Sequence, residues 1–241
     1  ILDSAREIKS IKSILVITSD KCYENDESGK LFTENDKLGG YDPYSSSKGC
    51  AELVTSSFRN SFFKKESSFS IGIATARAGN IIGGGDMSPN RLIPDIMRSM
   101  NDKTDINIRS PNSIRPWQHV LEPLKGYLIL SQRLFECPDD FSTPWNFGPD
   151  KENFLEVEAI VKMIVKKLNI KNTIVYQKNS NFHESKYLKL DNTKSKKLLN
   201  WKPKLSINET IALTAQWYNY YKNSSNTQSF SEEQIIQFDK L

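Results

Sequence analysis

The sequence predicts an α/β protein organised around a parallel sheet, and three observations lead there. Residues 13–18 (Ser-Ile-Leu-Val-Ile-Thr) and 70–76 (Ser-Ile-Gly-Ile-Ala-Thr-Ala) are short apolar runs with the length and β-branched content of buried strands. Between them, Asp42-Pro43 opens a long segment with apolar residues at helical spacing. The alternation of strand-like and helix-like segments then continues to about residue 221, as in a sheet covered by helices.

Residues 4–12 are polar and mildly helical and lead into the first strand. Residues 22–42 carry turn chemistry in Glu24-Asn25-Asp26, Ser28-Gly29, Glu34-Asn35-Asp36 and Gly39-Gly40. Asp42 can accept from the free amides of a helix start. Pro43 suits the first helical position because its missing N–H loses nothing there. That helix runs to about residue 64, with Ala51, Val54, Phe58 and Phe62 at helical spacing. After the second strand comes a loop holding Gly79, Gly83, Gly84 and Gly85, then a short helix over 94–100.

Strand-like pieces follow at 106–109 and 117–120, a helix at 122–135 and a brief strand at 145–147. Residues 155–168 form an amphipathic helix with Val157, Ile160, Val161, Ile164 and Leu168 inward. Short strands at 173–176 and 187–190 precede helices at 193–199 and 207–221, separated by Pro203. From residue 223 the chain is a polar Ser/Asn/Gln-rich tail in which 231–238 can form a terminal helix.

Composition narrows the function classes. The 241 residues fit one large domain or one domain with a smaller lobe. The net charge of +4 is dispersed, apart from Lys194, Lys196, Lys197, Lys202 and Lys204. Without a dense basic stripe interleaved with aromatics no nucleic-acid partner is expected, whereas a mildly basic cleft suits a small anion. No run of roughly eighteen apolar residues suggests a membrane span, and no secretory pattern opens the chain. Cys22, Cys50 and Cys137 are odd in number and lack a C-x-x-C pair, which fits reduced thiols in a cytoplasm. With only His119 and His183, a His-rich metal site is not expected.

The chemistry concentrates at two places. Tyr44 and Lys48 are four apart on the helix begun at Pro43, so they share a face. An ammonium beside a phenol favours the phenolate, which makes Tyr44 a candidate base for a hydroxyl during hydride transfer. The pair alone is weak, since a surface Tyr and Lys often stand so. The context strengthens it: a buried strand ends in Thr18-Ser19-Asp20-Lys21, and polar residues beyond the C-terminal end of such a strand are where ligands bind in α/β sheets. One feature is absent. No strand is followed by G-x-G-x-x-G with an acidic residue about twenty positions on, and Gly83-Gly84-Gly85 has the wrong spacing.

The runs Thr18-Ser19-Asp20-Lys21-Cys22-Tyr23, Gly39 to Lys48, Ala78 to Asp86 and Arg115-Pro116-Trp117-Gln118-His119-Val120 together resemble the extended short-chain dehydrogenase/reductase family. Within its sugar-nucleotide epimerase/dehydratase group they look like the CDP-glucose 4,6-dehydratases, and the resemblance reaches at least Tyr218. It implies the C-terminal part of a Rossmann-like doubly wound parallel sheet with a smaller mixed α/β substrate lobe. Residues 1–80 would be the remaining half of the NAD-binding domain, 81–222 mainly the nucleotide-sugar lobe with segments returning to the first domain, and 223–241 the tail.

The activity implied is NAD-dependent dehydration of CDP-glucose to its 4-keto-6-deoxy product, in deoxysugar and surface polysaccharide (lipopolysaccharide) synthesis. By resemblance Tyr44 accepts the O4 proton, Lys48 holds the nicotinamide ribose, Ser19 bonds the sugar near O4 and Asp20 is the acid for the departing 6-hydroxyl. Lys21 stands where dTDP-glucose dehydratases carry the Glu that serves as C5 base; a Lys–Asp20 pairing is the alternative. Asn80, Arg91, Arg115 and Asn146 are implied for the nucleotide, Arg because its planar fork suits a diphosphate, with Glu184 closing the pocket. Arg109 is left open, and His119 is read as orienting backbone.

A homo-oligomer is expected, and Phe58, Phe62 and Phe63 suit either a helix bundle between copies or the core. Two alternatives remain: a nucleotide-sugar 4-epimerase, which has no need of Asp20-Lys21, and a chain that binds a nucleotide sugar without turnover. The missing glycine fingerprint predicts that these 241 residues alone are inactive.

Overall fold

The computed structural model describes residues 1–63, 71–176, 185–224 and 226–241. In chain order the elements begin with α1 (Leu2–Arg6), β1 (Ser13–Ile17), α2 (Pro43–Phe62), β2 (Gly72–Arg77) and β3 (Ile81–Ile82). Next are α3 (Leu92–Asp102), β4 (Ile106–Ile108), β5 (Ile114–Pro116), β6 (Gln118–His119), α4 (Leu121–Glu136) and α5 (Pro138–Phe141). The remainder is β7 (Pro144–Asn146), β8 (Phe154–Glu156), α6 (Val157–Lys167), β9 (Ile174–Tyr176), α7 (Thr193–Leu199), α8 (Ile207–Asn223) and α9 (Thr227–Asp239).

Two compact units result. The first comprises Ile1–Gly79, Pro123–Pro149 and Leu188–Pro203. Its sheet is parallel in the order β1-β2-β7, with Leu15 opposite Ala74 and Ala76 opposite Trp145. β2 is buried throughout, and its alternation explains the layers. Ala74 and Ala76 pack with Leu130, Leu134 and Trp145, whereas Thr75 and Arg77 bond to Glu52 of α2. Successive side chains of a strand point to opposite faces, so α4 and α2 lie on opposite sides of the sheet. Leu130 and Leu134 are fully buried, and truncating such a leucine to alanine costs about 2–5 kcal/mol.

The second unit comprises Asn80–Glu122, Asp150–Tyr187 and Lys204–Leu241. Its strands form two-stranded ladders: β3 with β6 and β4 with β9 in parallel, β5 with β8 antiparallel. One core joins Ile93, Ile96 and Met97 of α3, Ile160, Val161 and Ile164 of α6, and Ile211, Ala215 and Trp217 of α8. Gly84 lies against Trp217: a methyl there would fall 2.0 Å from the indole Cγ. The glycine loop thus serves packing at this point.

Several elements differ from the sequence expectation. The 155–168 helix starts at Val157, because Phe154–Glu156 pairs with β5 instead. Residues 187–190 form no strand; Tyr187 and Leu190 make isolated bridges to Ile114 and Phe32. The tail is helical from Thr227 to Asp239, held by Trp217 Nε1 donating to Ser231 Oγ at 2.9 Å and by Tyr220 stacked on Phe230. On α2 the buried positions are Ser45, Gly49, Glu52 and Thr55, while Leu53, Val54 and Phe62 face outward. Glu52 can occupy the interior because Arg77 meets it there.

Candidate active site

β1 ends at Ile17, and the chain turns at once into a single 3-10 turn, Asp20–Cys22. Ser19 builds that turn: its Oγ accepts from Lys21 N at 3.2 Å and donates to Asp20 Oδ1 at 3.0 Å. Asp20 is buried, and its amide donates to Ala78 O at 3.3 Å. Its carboxylate packs on the bare Cα of Gly79, where an added Cβ would lie 1.6 Å from Oδ2. Only a glycine admits that approach.

The turn is seated on α2. A Cβ on Gly49 would be 3.5 Å from Cys22 O, so helix and turn touch there through backbone. α2 begins as its sequence indicates: Asp42 Oδ1 accepts from Ser45 N at 3.0 Å and Oδ2 from Ser45 Oγ at 2.6 Å, with Pro43 in the first turn. Burial works against the Asp42 carboxylate, but the Ser45 bonds and the nearby Lys21 ammonium outweigh it and hold its pKa below the usual range. Lys21 therefore lies close to the start of α2. Tyr44 is 53% exposed, and Lys48 Nζ stands 5.7 Å from the centre of its ring. Ser19, Asp20, Lys21, Tyr44 and Lys48 thus sit on one turn and the first two turns of the helix beneath it.

Beneath the turn is a buried polar network. Glu52 accepts from Thr18 Oγ1 (2.5 Å), Thr75 Oγ1 (2.7 Å), Arg77 Nε (2.9 Å) and Arg77 Nη2 (2.7 Å). Arg77 Nη1 reaches Tyr23 Oη at 2.8 Å and Glu34 O at 3.2 Å. Tyr23 Oη donates to Asn146 Oδ1 at 2.7 Å, and Asn146 Nδ2 donates to Phe32 O at 2.9 Å. Asn146, implied for nucleotide binding, is therefore fully buried with both ends of its amide bonded to protein. Burial pushes the Cys22 thiol up to about 12 against the pull of Arg77, so it is an inert thiol.

The nucleotide candidates of the second unit differ in exposure. Arg115 is buried on β5, its guanidinium donating to Ile114 O at 2.9 Å and Lys186 O at 3.5 Å. Arg91 precedes α3 with its side chain exposed and pairs with Asp86 at 3.1 Å. Asn80 adopts the left-handed conformation at φ 46°. His119 Nδ1 accepts from Leu121 N at 3.4 Å, which orients backbone as expected. Glu184 lies outside the described residues. In the first unit a cavity of about 470 Å³ is lined by Thr33, Glu34, Asp191, Thr193, Lys194, Lys197 and Leu198, none of them assigned a catalytic role. Among the described residues no cluster can hold a metal ion, and no helix is long and apolar enough to cross a membrane.

A model of the GDP-mannose 4,6 dehydratase family matches residues 1–214. The chain belongs to this family. It is 43% identical over 240 residues to CDP-glucose 4,6-dehydratase of Salmonella typhimurium, covering 99% of this chain and 67% of that protein. Its fold matches dTDP-glucose 4,6-dehydratase of Streptomyces venezuelae, crystallised with NAD and TYD, at a TM-score of 0.77 and 19% identity, over 92% of this chain and 64% of that one. A UDP-glucuronic acid 4-epimerase of Bacillus cereus, crystallised with NAD, matches at 0.75 and 16%, over 91% and 65%. The chain spans about two thirds of the length of these relatives. The fold is thus the Rossmann type shared by dehydratases and epimerases.

For this GDP-mannose 4,6 dehydratase family chain, sequence reasoning missed Glu52 and Arg77. Both left a signal: Glu52 continues the spacing Tyr44, Lys48, Glu52, and Arg77 is the charge that ends the otherwise uncharged strand Gly72–Arg77.

Proposed function

We propose that this chain forms the catalytic and nucleotide-sugar-binding part of an NAD-dependent sugar-nucleotide 4,6-dehydratase, with CDP-glucose as substrate. The observation that carries the reading is the seating of the Ser19–Cys22 turn on α2 at Gly49, with the Lys21 charge felt by Asp42 at the start of the helix that bears Tyr44 and Lys48. Identity of 43% to a CDP-glucose 4,6-dehydratase along 99% of the chain supports the choice of nucleotide.

Tyr44 takes the proton from the sugar O4, with the Lys48 ammonium stabilising the phenolate. Bound NAD would supply the acceptor for the C4 hydride and the donor for its return at C6. Tyr44, exposed, and Lys48, half-buried with its Nζ 5.7 Å from the centre of the tyrosine ring, would hold the ribose end of that cofactor. The new 4-keto group acidifies C5–H, and Lys21, as the free amine left once its own proton has passed to Asp20, removes that proton. Asp20, shielded from water, gives its proton to the 6-hydroxyl, which leaves as water. Ser19 holds the sugar near O4. Asn80, Arg91 and Arg115 contact the nucleotide diphosphate; Asn146 enters as a structural residue. Asp20-Lys21 favours dehydration over 4-epimerisation, which needs neither group.

The setting proposed is a cytoplasmic step of lipopolysaccharide or other deoxysugar assembly. The outward Leu53, Val54 and Phe62 of α2 support self-association as a homodimer. The test is incubation of the full protein with NAD and CDP-glucose, with the product followed by NMR. A CDP-4-keto-6-deoxyglucose signal supports the reading; a 4-epimer as sole product overturns it. These 241 residues alone are expected to bind CDP-glucose without converting it.

A further inference from the structure

The geometry points to Glu52 as a positioning residue that locks the helix carrying Tyr44 and Lys48 to the turn carrying Ser19, Asp20 and Lys21. The inference rests on the function proposed above.

Glu52 stands one helical turn beyond Lys48, on the buried stripe Ser45, Gly49, Glu52 and Thr55 that borders the stripe carrying Tyr44 and Lys48. Its carboxylate accepts from Thr18, the residue immediately before Ser19, and from Thr75 and Arg77 on the neighbouring strand. One side chain therefore ties α2 to the exit of β1 and to the end of β2. Arg77 extends the tie: its remaining nitrogen holds Tyr23 Oη, in the residue directly after the Asp20–Cys22 turn. The turn is thus clamped from Thr18 on one side and Tyr23 on the other. Both clamps are anchored in a single ion pair whose side chains are each 3% exposed.

An Arg–carboxylate fork fixes angle as well as distance, which a pair of apolar side chains of the same volume does not. Acid–base groups held even 1 Å out of place lose roughly 10²-fold in rate. The clamp therefore supplies registration between the two halves of the acid–base set, in addition to burying two charges.

The test separates registration from stability. Glu52→Gln breaks the pair and leaves Arg77 buried without its anion. Glu52→Met with Arg77→Met replaces both charged groups by apolar side chains of similar length and removes the bond to Thr18, an exchange that is often neutral for the stability of a buried pair. Cys22 reports the seating of the turn, because it is fully buried and its carbonyl lies against Gly49 of α2. The rate of iodoacetamide labelling at Cys22 is measured by peptide mapping, well below the melting temperature, in the protein and both variants. A rise of tenfold or more at Cys22 in the double variant, with Cys50 and Cys137 unchanged and the melting temperature near the original, supports the inference. Original protection of Cys22 in the double variant overturns it.

Turnover gives a second readout: kcat should fall at least tenfold in the double variant with KM within twofold, and equal kcat overturns the inference. If the unaltered protein does not dehydrate CDP-glucose, the proposed function fails, and labelling at Cys22 alone decides the role of Glu52.

Discussion

Glu52 and Arg77 meet as a fork, Nε to Oε1 at 2.9 Å and Nη2 to Oε2 at 2.7 Å, with neither side chain more than 3% exposed. Breaking a buried pair from one side leaves an uncompensated charge, so Arg77→Met is expected to cost about 3–5 kcal/mol. Urea unfolding of the variant measures that loss. A cost below about 1 kcal/mol would mean that the carboxylate is solvated or neutral in the folded protein.

The same pair sets an acid limit. Burial raises the Glu52 pKa, but the Arg77 hydrogen bonds and charge, with Thr18 and Thr75, outweigh it and leave the value below the ordinary 4.5. A depressed carboxylate contributes stability above its unfolded pKa, and that contribution is lost as pH falls through the folded value. Between pH 5 and 2 the unfolding free energy should fall more steeply for the original protein than for Glu52→Gln. Parallel curves would remove Glu52 from the acid transition.

Gly79→Ala should act on chemistry. The new methyl would overlap Asp20 Oδ2, and burial leaves that carboxylate little room to move. If Asp20 is the acid for the leaving hydroxyl, kcat should drop by roughly 10²-fold or more, the usual worth of a positioned acid. NMR of the product gives the rate, and a near-normal kcat would take Asp20 out of that role.

Tyr44→Phe removes the group that receives the O4 proton while keeping the ring beside Lys48. Transient NADH absorbance should vanish, with CDP-glucose binding retained. Undiminished NADH formation would exclude Tyr44 as the base.

Much of this was legible in the sequence, where local chemistry decides. Asp42-Pro43 announced the start of α2, and the cap bonds to Ser45 are the reason. Residues 70–76 announced β2 because a strand buried on both faces reads as an apolar run; 13–18 announced β1 by the same kind of run, although that strand is only half-buried and its Ile17 is exposed. The face of α2 was not legible from spacing: Ala51, Val54, Phe58 and Phe62 form a tidy stripe, yet the interior took Glu52 because Arg77, a residue 25 positions away, was there to pair with it. Asn146 shows the same limit at the site. An amide suits a nucleotide equally well, and only the fold brings Tyr23 and Phe32 to claim both its ends. Tertiary partners of this kind leave little trace in a local window.

His119 sets a second pH dependence. It is buried on β6, and Nδ1 accepts from Leu121 N at 3.4 Å, so the neutral ring carries its proton on Nε2. Burial alone pushes its pKa down to about 4 from the ordinary 6.5. For a histidine depressed in the folded state, the unfolded chain takes up the proton first as pH falls. Stability is therefore intact above about pH 6.5 and declines steadily between there and about pH 4. Protonation would also fill the Nδ1 lone pair that anchors Leu121 at the start of α4. His119→Gln should show a flatter unfolding free energy across that window, measured by urea titration at half-unit steps of pH. An equal slope in the two proteins would mean that His119 titrates freely in the folded chain.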